Sequence, residues 1–245
     1  MAPLKPEERL IVALDFDTGR SALEMVDRLL DNVRIFKVGS ELFTACGPKI
    51  VGEIQKRGCK VFLDLKFHDI PNTAAKSAAA AARLGVFMMN VHASGGEEMM
   101  KRCAEAVKVE AHKMGVSAPK LIAVTVLTSL DKKALKKIGV DVNIQAHVLA
   151  LSHLAARAGL DGVVSSPMEI GPVRKKLGGG FLIVTPGVRP EWAASNDQKR
   201  FATPAEAVRK GATYVVVGRP ITGVENPPVA CQRIIEEIKG ACGRS

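Results

Sequence analysis

Residues 61–73 read VFLDLKFHDIPNT. The run opens like a buried strand, yet Asp64, Lys66 and Asp69 follow within six positions. An ammonium between two carboxylates can keep its charge, stabilise a developing anion and then deliver a proton. Residues two apart on a strand point the same way, so Asp64 and Lys66 are expected on one face and Leu65 on the other. Two earlier apolar runs carry one ionisable group each: Asp15 in VALDF (12–16) and Lys37 in FKVG (36–39). Brought to one place, the four would alternate in sign. Structural salt bridges are the other reading. Buried ion pairs are costly, however, and apolar replacements often stabilise, so a stability role explains four such groups poorly. Catalysis is the better expectation.

The elements that must position these groups are legible from periodicity. Short apolar runs recur at 10–14, 34–38, 60–65, 86–91, 121–127, 161–166, 181–185 and 214–218. They lack polar alternation and read as strands buried on both faces. Helix-period stretches lie between them, including 21–30, 74–84, 143–159 and 226–241. Eight strand–helix repeats predict an α/β fold, a (β/α)8 TIM barrel, with one domain over residues 1–245. A doubly wound open sheet would call for a glycine-rich turn after an early strand, and DFDTGR (15–20) is not one.

In a barrel, chemistry sits at the carboxyl ends of the strands, and the loops after strands seven and eight commonly hold phosphate. Those loops are VTPGVRP (184–190) and VVGRPIT (216–222). Gly218 allows close backbone approach and Arg219 offers a planar fork for an anion. The alanine-rich run 74–82 gives a smooth helix face that another helix can approach closely, and a subunit interface is expected there ahead of packing on the barrel.

Composition narrows the classes. Net charge is +10, but the basic residues are dispersed, and 8 Phe, 1 Trp and 1 Tyr make a poor stacking platform for bases. A small anionic ligand suits the charge better than nucleic acid. No run approaches the ~18–20 apolar residues of a membrane span, and the start, MAPLKPEERL, has no export signal. A cytoplasmic protein without membrane contact is expected. The five cysteines form no C-x-x-C pair and read as free thiols, and the five histidines show no metal-ligand spacing.

The chain resembles the orotidine 5′-phosphate decarboxylase family in its single-domain bacterial form. The resemblance is carried by VALDF, FKVG, DLKFHDIPNT (64–73), VHASGG (91–96), VLTS (126–129), TPGVRP (185–190), DQKR (197–200) and GRPIT (218–222), in order along the chain. It implies a (β/α)8 barrel acting as a homodimer with shared sites, which converts orotidine 5′-monophosphate to UMP and CO2, the last step of UMP synthesis, without metal or cofactor. It further implies that Asp15 and Lys37 bind the ribose, Asp64 lies against the substrate carboxylate and Lys66 protonates C6. Asp69 and Thr73 would enter from the partner subunit, Thr128 would touch the pyrimidine, and Arg189, Gln198, Gly218 and Arg219 would hold the phosphate.

The chemistry asks for such a set, because loss of CO2 leaves a C6 carbanion with no electron sink, which a neighbouring ammonium stabilises. The polar segment 189–200 is expected to close over the phosphate through Gln198. Two rivals stand: a magnesium-dependent sugar-phosphate decarboxylase or synthase of the same superfamily, which also uses D-x-K-x-x-D, and a basic barrel that binds RNA.

Overall fold

Strands that are apolar on both faces need cover on both, and a closed barrel inside a ring of helices provides it. The computed structural model describes residues 4–193 and 202–242. In chain order the elements are β1 (Leu10–Ala13), α1 (Gly19–Leu29), β2 (Ile35–Gly39), α2 (Ser40–Cys46), α3 (Lys49–Lys56), β3 (Lys60–Phe67), α4 (Pro71–Arg83), β4 (Met88–His92) and α5 (Gly96–Met114). Then come β5 (Lys120–Val124), α6 (Lys132–Lys137), α7 (Ile144–Arg157), β6 (Gly162–Val164), α8 (Ile170–Leu177), β7 (Leu182–Thr185), α9 (Pro204–Arg209), β8 (Tyr214–Val217), α10 (Arg219–Thr222) and α11 (Pro227–Cys242). Each strand pairs in parallel with the next, and β8 closes on β1 through Leu10↔Val215, Ile11↔Val216 and Val12↔Val217.

Alternate strand positions divide the core. Ile11, Ala13, Ile35, Phe62, Met88, Ile122, Val184 and Val216 form one cluster, which fills the barrel. The opposite parity, with Val12, Phe36, Val61 and Leu63, packs against the helices. The alanine run contributes here: Ala74, Ala78, Ala81 and Ala82 are buried on α4, and their small side chains let α5 approach closely.

Several strand ends differ by a residue or more from the sequence expectation, among them those of β1, β5 and β6. β1 stops at Ala13, two residues before Asp15. β6 keeps only Gly162–Val164. β5 ends at Val124 and not at residue 127, because Thr125 terminates the ladder on one acceptor: its N–H (3.3 Å) and its hydroxyl (2.9 Å) both donate to the Val164 carbonyl. Val126–Thr128 are thereby released to the mouth.

The opposite rim is tied by Arg174, which donates to the carbonyls of Gly178, Phe181 and Gly211 and to the Thr213 hydroxyl. Burial, and then the charge of Arg9, lowers its pKa from the ordinary arginine value. Cys103 and Cys231 are fully buried, and burial pushes their thiols up to about 11 and about 12. Among the described residues no helix is long and apolar enough to cross a membrane.

Two glycines should respond oppositely to alanine. A Cβ at Gly162 would collide with the backbone oxygen and Cβ of Leu182 on the adjoining strand, so Gly162→Ala should destabilise by about 1–3 kcal/mol. Gly52 lies in α3 with open space at its Cβ position, so Gly52→Ala should stabilise by about 0.5–1 kcal/mol. Urea unfolding of both variants beside the wild type tests the pair; shifts of the same sign would contradict it.

Candidate active site

The register of the first three strands assembles the charges. Ala13 faces Lys37, Lys37 faces Phe62 and Gly39 faces Asp64. Ala13, Ile35 and Phe62 all point inward, so Asp15, Lys37 and Asp64, each two residues further on, continue inward-facing columns at the mouth. Lys37 Nζ lies 2.9 Å from Asp15 Oδ1 and 3.5 Å from Asp64 Oδ2, and Lys66 Nζ lies 2.8 Å from Asp64 Oδ1. The order of charges is minus, plus, minus, plus. The side chains of Lys37 and Asp64 are only 12% and 13% exposed, whereas that of Asp15 is 59% exposed. A Cβ on Gly39 would stand 3.0 Å from Lys37 Nζ, so the glycine leaves room for the ammonium.

Lys66 reaches Asp64 by a different route from simple alternation. It has φ of +53°, the only positive φ at a non-glycine position among the described residues. The pairing of β3 with β4 shifts there, from Leu63↔Met89 to Phe67↔Val91, as at a bulge. Asn90, fully buried on β4, spans the irregular stretch. Its Oδ1 accepts the Lys66 N–H at 2.8 Å, and its Nδ2 donates to Asp64 Oδ1 at 2.6 Å. Sequence reasoning missed Asn90, although one amide inside MMNV (88–91) was a visible signal.

Lys37, Asp64 and Lys66 line a cavity of about 210 Å³ with Thr128 at its side and Phe62, Val184 and Val216 among its apolar walls. Other expected residues stand apart from it. Asp69 is exposed, with Oδ1 accepting the N–H of its neighbour Ile70 at 2.7 Å. Thr73 is exposed in the first turn of α4. Gly218 precedes α10, and its Cβ position lies 3.6 Å from Asp15 Oδ2, so the β8 loop abuts the ionic chain. Arg219 is exposed beside it. Arg189 is half-buried, and its N–H donates to the Ala202 carbonyl at 3.1 Å. Gln198 lies outside the described residues.

A histidine pair stands next to Lys66. The rings of His68 and His92 stack at 5.1 Å with 17° between planes, and the Ser94 N–H donates to His92 Nδ1 at 3.3 Å. Burial, then His68 and then Lys66, lowers the pKa of His92 from the ordinary histidine value. Among the described residues no three His, Cys, Asp or Glu side chains are grouped to hold a metal ion.

A closed parallel barrel that gathers ionised side chains from successive strand ends around an apolar-walled cavity defines the class of (β/α)8 barrel enzymes. Comparison with known proteins narrows this class. Residues 8–234 match the profile of the orotidine 5′-phosphate decarboxylase / HUMPS family. A protein of Syntrophotalea carbinolica named orotidine 5′-phosphate decarboxylase is 52% identical over 239 residues, covering 97% of this chain and 98% of its own. One of the same name from Geobacter sulfurreducens is 51% identical over 231 residues, covering 94% and 96%. The crystal structure of orotidine 5′-phosphate decarboxylase from Lactobacillus acidophilus superposes with a TM-score of 0.83 at 37% identity, covering 94% of this chain and 99% of that one. The chain belongs to the orotidine 5′-phosphate decarboxylase / HUMPS family.

The environment of His92 carries a pH prediction. Its folded pKa is lowered, so the unfolded chain takes up the proton first, and this contribution to stability falls as pH drops through about 6.5. His92→Gln should flatten that part of the profile. Urea midpoints between about pH 5 and 7.5 measure it; an unchanged slope in the variant would contradict the assignment.

Proposed function

We propose that this chain decarboxylates orotidine 5′-monophosphate to UMP and CO2, the last step of de novo UMP synthesis, with Lys66 as the proton donor. The observation that carries the reading is the Lys66–Asp64 pair, 2.8 Å apart at the wall of the cavity. Departure of CO2 leaves an electron pair at C6, and the Lys66 ammonium stabilises it electrostatically and then protonates that carbon. Asp64 pairs with the ammonium and holds it in place, while Lys37 pairs with the same carboxylate through its other oxygen.

The cavity is smaller than the roughly 300–1,000 Å³ of most small-ligand sites. It suits the pyrimidine, beside Thr128, and leaves ribose and phosphate outside. Asp15 and Lys37 would take the ribose hydroxyls, and Arg189, Gly218 and Arg219, together with Gln198 from the DQKR motif, would take the phosphate. A substrate carboxylate about 4 Å from Asp64 would be repelled by roughly 4 kcal/mol at an effective dielectric of about 20. That corresponds to about a thousandfold in rate, below the 8 kcal/mol or more that enzymes commonly supply. Carbanion stabilisation and remote binding of the phosphate must contribute the rest.

The proposed enzyme is a cytoplasmic homodimer with shared sites. Within one chain Asp69 and Thr73 make no ion pair or hydrogen bond with Lys66 among the described residues, and Ile70 (68%), after β3, and Met168 (70%), after β6, leave apolar surface that a second copy would cover. The family description also embraces a sugar-phosphate branch, but the relatives near 50% identity carry the decarboxylase name, which favours nucleotide chemistry without a metal. Neither nucleic acid nor membrane is part of the proposed role.

Two measurements test this. Ultraviolet absorbance of orotidine 5′-monophosphate should be lost rapidly with purified protein, and EDTA should leave the rate unchanged. Turnover abolished by EDTA and restored by magnesium would favour the sugar-phosphate branch. Mixing inactive Lys66→Ala and Asp69→Ala subunits should restore about a quarter of the wild-type sites, one per heterodimer in a statistical mixture. No recovery in verified heterodimers would reject the shared site.

A further inference from the structure

We propose that Asn90 is a positioning residue of this site, whose single amide locks the Asp64 carboxylate to the left-handed backbone of Lys66 and so fixes where the ammonium is presented. The two contacts dictate the amide's orientation. Flipped, it would set NH2 against the Lys66 N–H and oxygen against the Asp64 carboxylate, turning both contacts from attractive to repulsive. As it stands, Oδ1 accepts from Lys66 at 2.8 Å and Nδ2 donates to Asp64 at 2.6 Å.

The need for this clamp follows from the chain path. Between Leu63 and Phe67 the β3–β4 register breaks, and Lys66 turns to φ of +53°, a region that long side chains rarely occupy. The Asn90 side chain supplies the acceptor for the Lys66 N–H within this break. The same amide then donates to the oxygen that receives Lys66 Nζ at 2.8 Å. Backbone and head group of one lysine are thus referred to one rigid point, and Asn90 is fully buried with no freedom to wander. Aliphatic side chains offer neither contact. Aspartate offers the acceptor but sets a second carboxylate against Asp64.

That last difference makes the test. The activity readout rests on the decarboxylation proposed above, so a backbone readout accompanies it. Asn90→Ala should lower kcat about a hundredfold, as misplacement of a reacting group does, with a flat pH dependence relative to wild type and loss of hydrogen-exchange protection at the Lys66 amide. Asn90→Asp keeps that protection at low pH and can stand beside Asp64 only by sharing a proton. Its kcat should therefore approach the wild-type value at the acid end and fall as pH rises, a limb absent from the other two proteins. Both variants within twofold of wild-type kcat at every pH, or equal losses with no such limb and unaltered Lys66 protection, would overturn the proposal. If wild-type protein does not turn over orotidine 5′-monophosphate, the activity reading fails, and the exchange data still decide the clamp. Should Asn90→Ala not fold, the pH limb of Asn90→Asp decides.

Discussion

The Asp64 carboxylate is the fixed point of the mouth. It receives Lys66 at 2.8 Å, Lys37 at 3.5 Å and the Asn90 amide at 2.6 Å, and its own side chain is 13% exposed. Without it two ammonium groups would lose the carboxylate they share. Stripping one partner from a buried ion pair commonly costs about 3–5 kcal/mol. Lys37, 12% exposed, would keep Asp15 at 2.9 Å, whereas Lys66, 36% exposed, would have to turn its charge to solvent. Alternation of sign therefore keeps each charge at this end of the barrel beside an opposite one.

Parallel closure makes that alternation possible. Three adjacent strands present Asp15, Lys37 and Asp64 in registered columns above the apolar filling of Ala13, Ile35 and Phe62. The rule that residues two apart share a face then holds until Lys66. There the chain leaves the regular strand, accepting a conformational cost of order 1–3 kcal/mol that neighbouring contacts must offset. A regular β3 would give the lysine the same face but not the same backbone direction. The bulge converts a strand residue into a group aimed by its main chain.

Much of this was readable in the sequence because it follows from periods. Apolar runs gave eight strands, their C-terminal ends gave the mouth, and Asp15, Lys37 and Asp64 meet there as their positions require, with Lys66 beside them by another path. The rest depends on partners that periodicity does not name. The end of β5 is set by one carbonyl, that of Val164, taken by two donors from Thr125. The left-handed Lys66 has no cue in residue type, since glycine and asparagine are the usual occupants of that region. Asn90 is polar inside an apolar strand, a cue in itself, but only the register of β4 against β3 tells which groups it serves. Asp69 and Thr73 stand exposed away from the charged cluster, and no pattern within one chain gives their distance from a second copy.

The buried cysteines have a practical side. Cys103 sits on α5 and Cys231 on α11, both fully covered, with thiols held at about 11 and about 12. In that condition neither presents a reactive thiolate near neutrality. Each becomes open to an alkylating reagent only in the moments when its helix lifts from the barrel, and when closing outpaces labelling the rate reports the free energy of that opening. Beside Cys59, buried ahead of β3, these two thiols act as native clocks in different helices. Their relative speeds distinguish local loosening of one helix from breathing of the barrel as a whole, with no probe added.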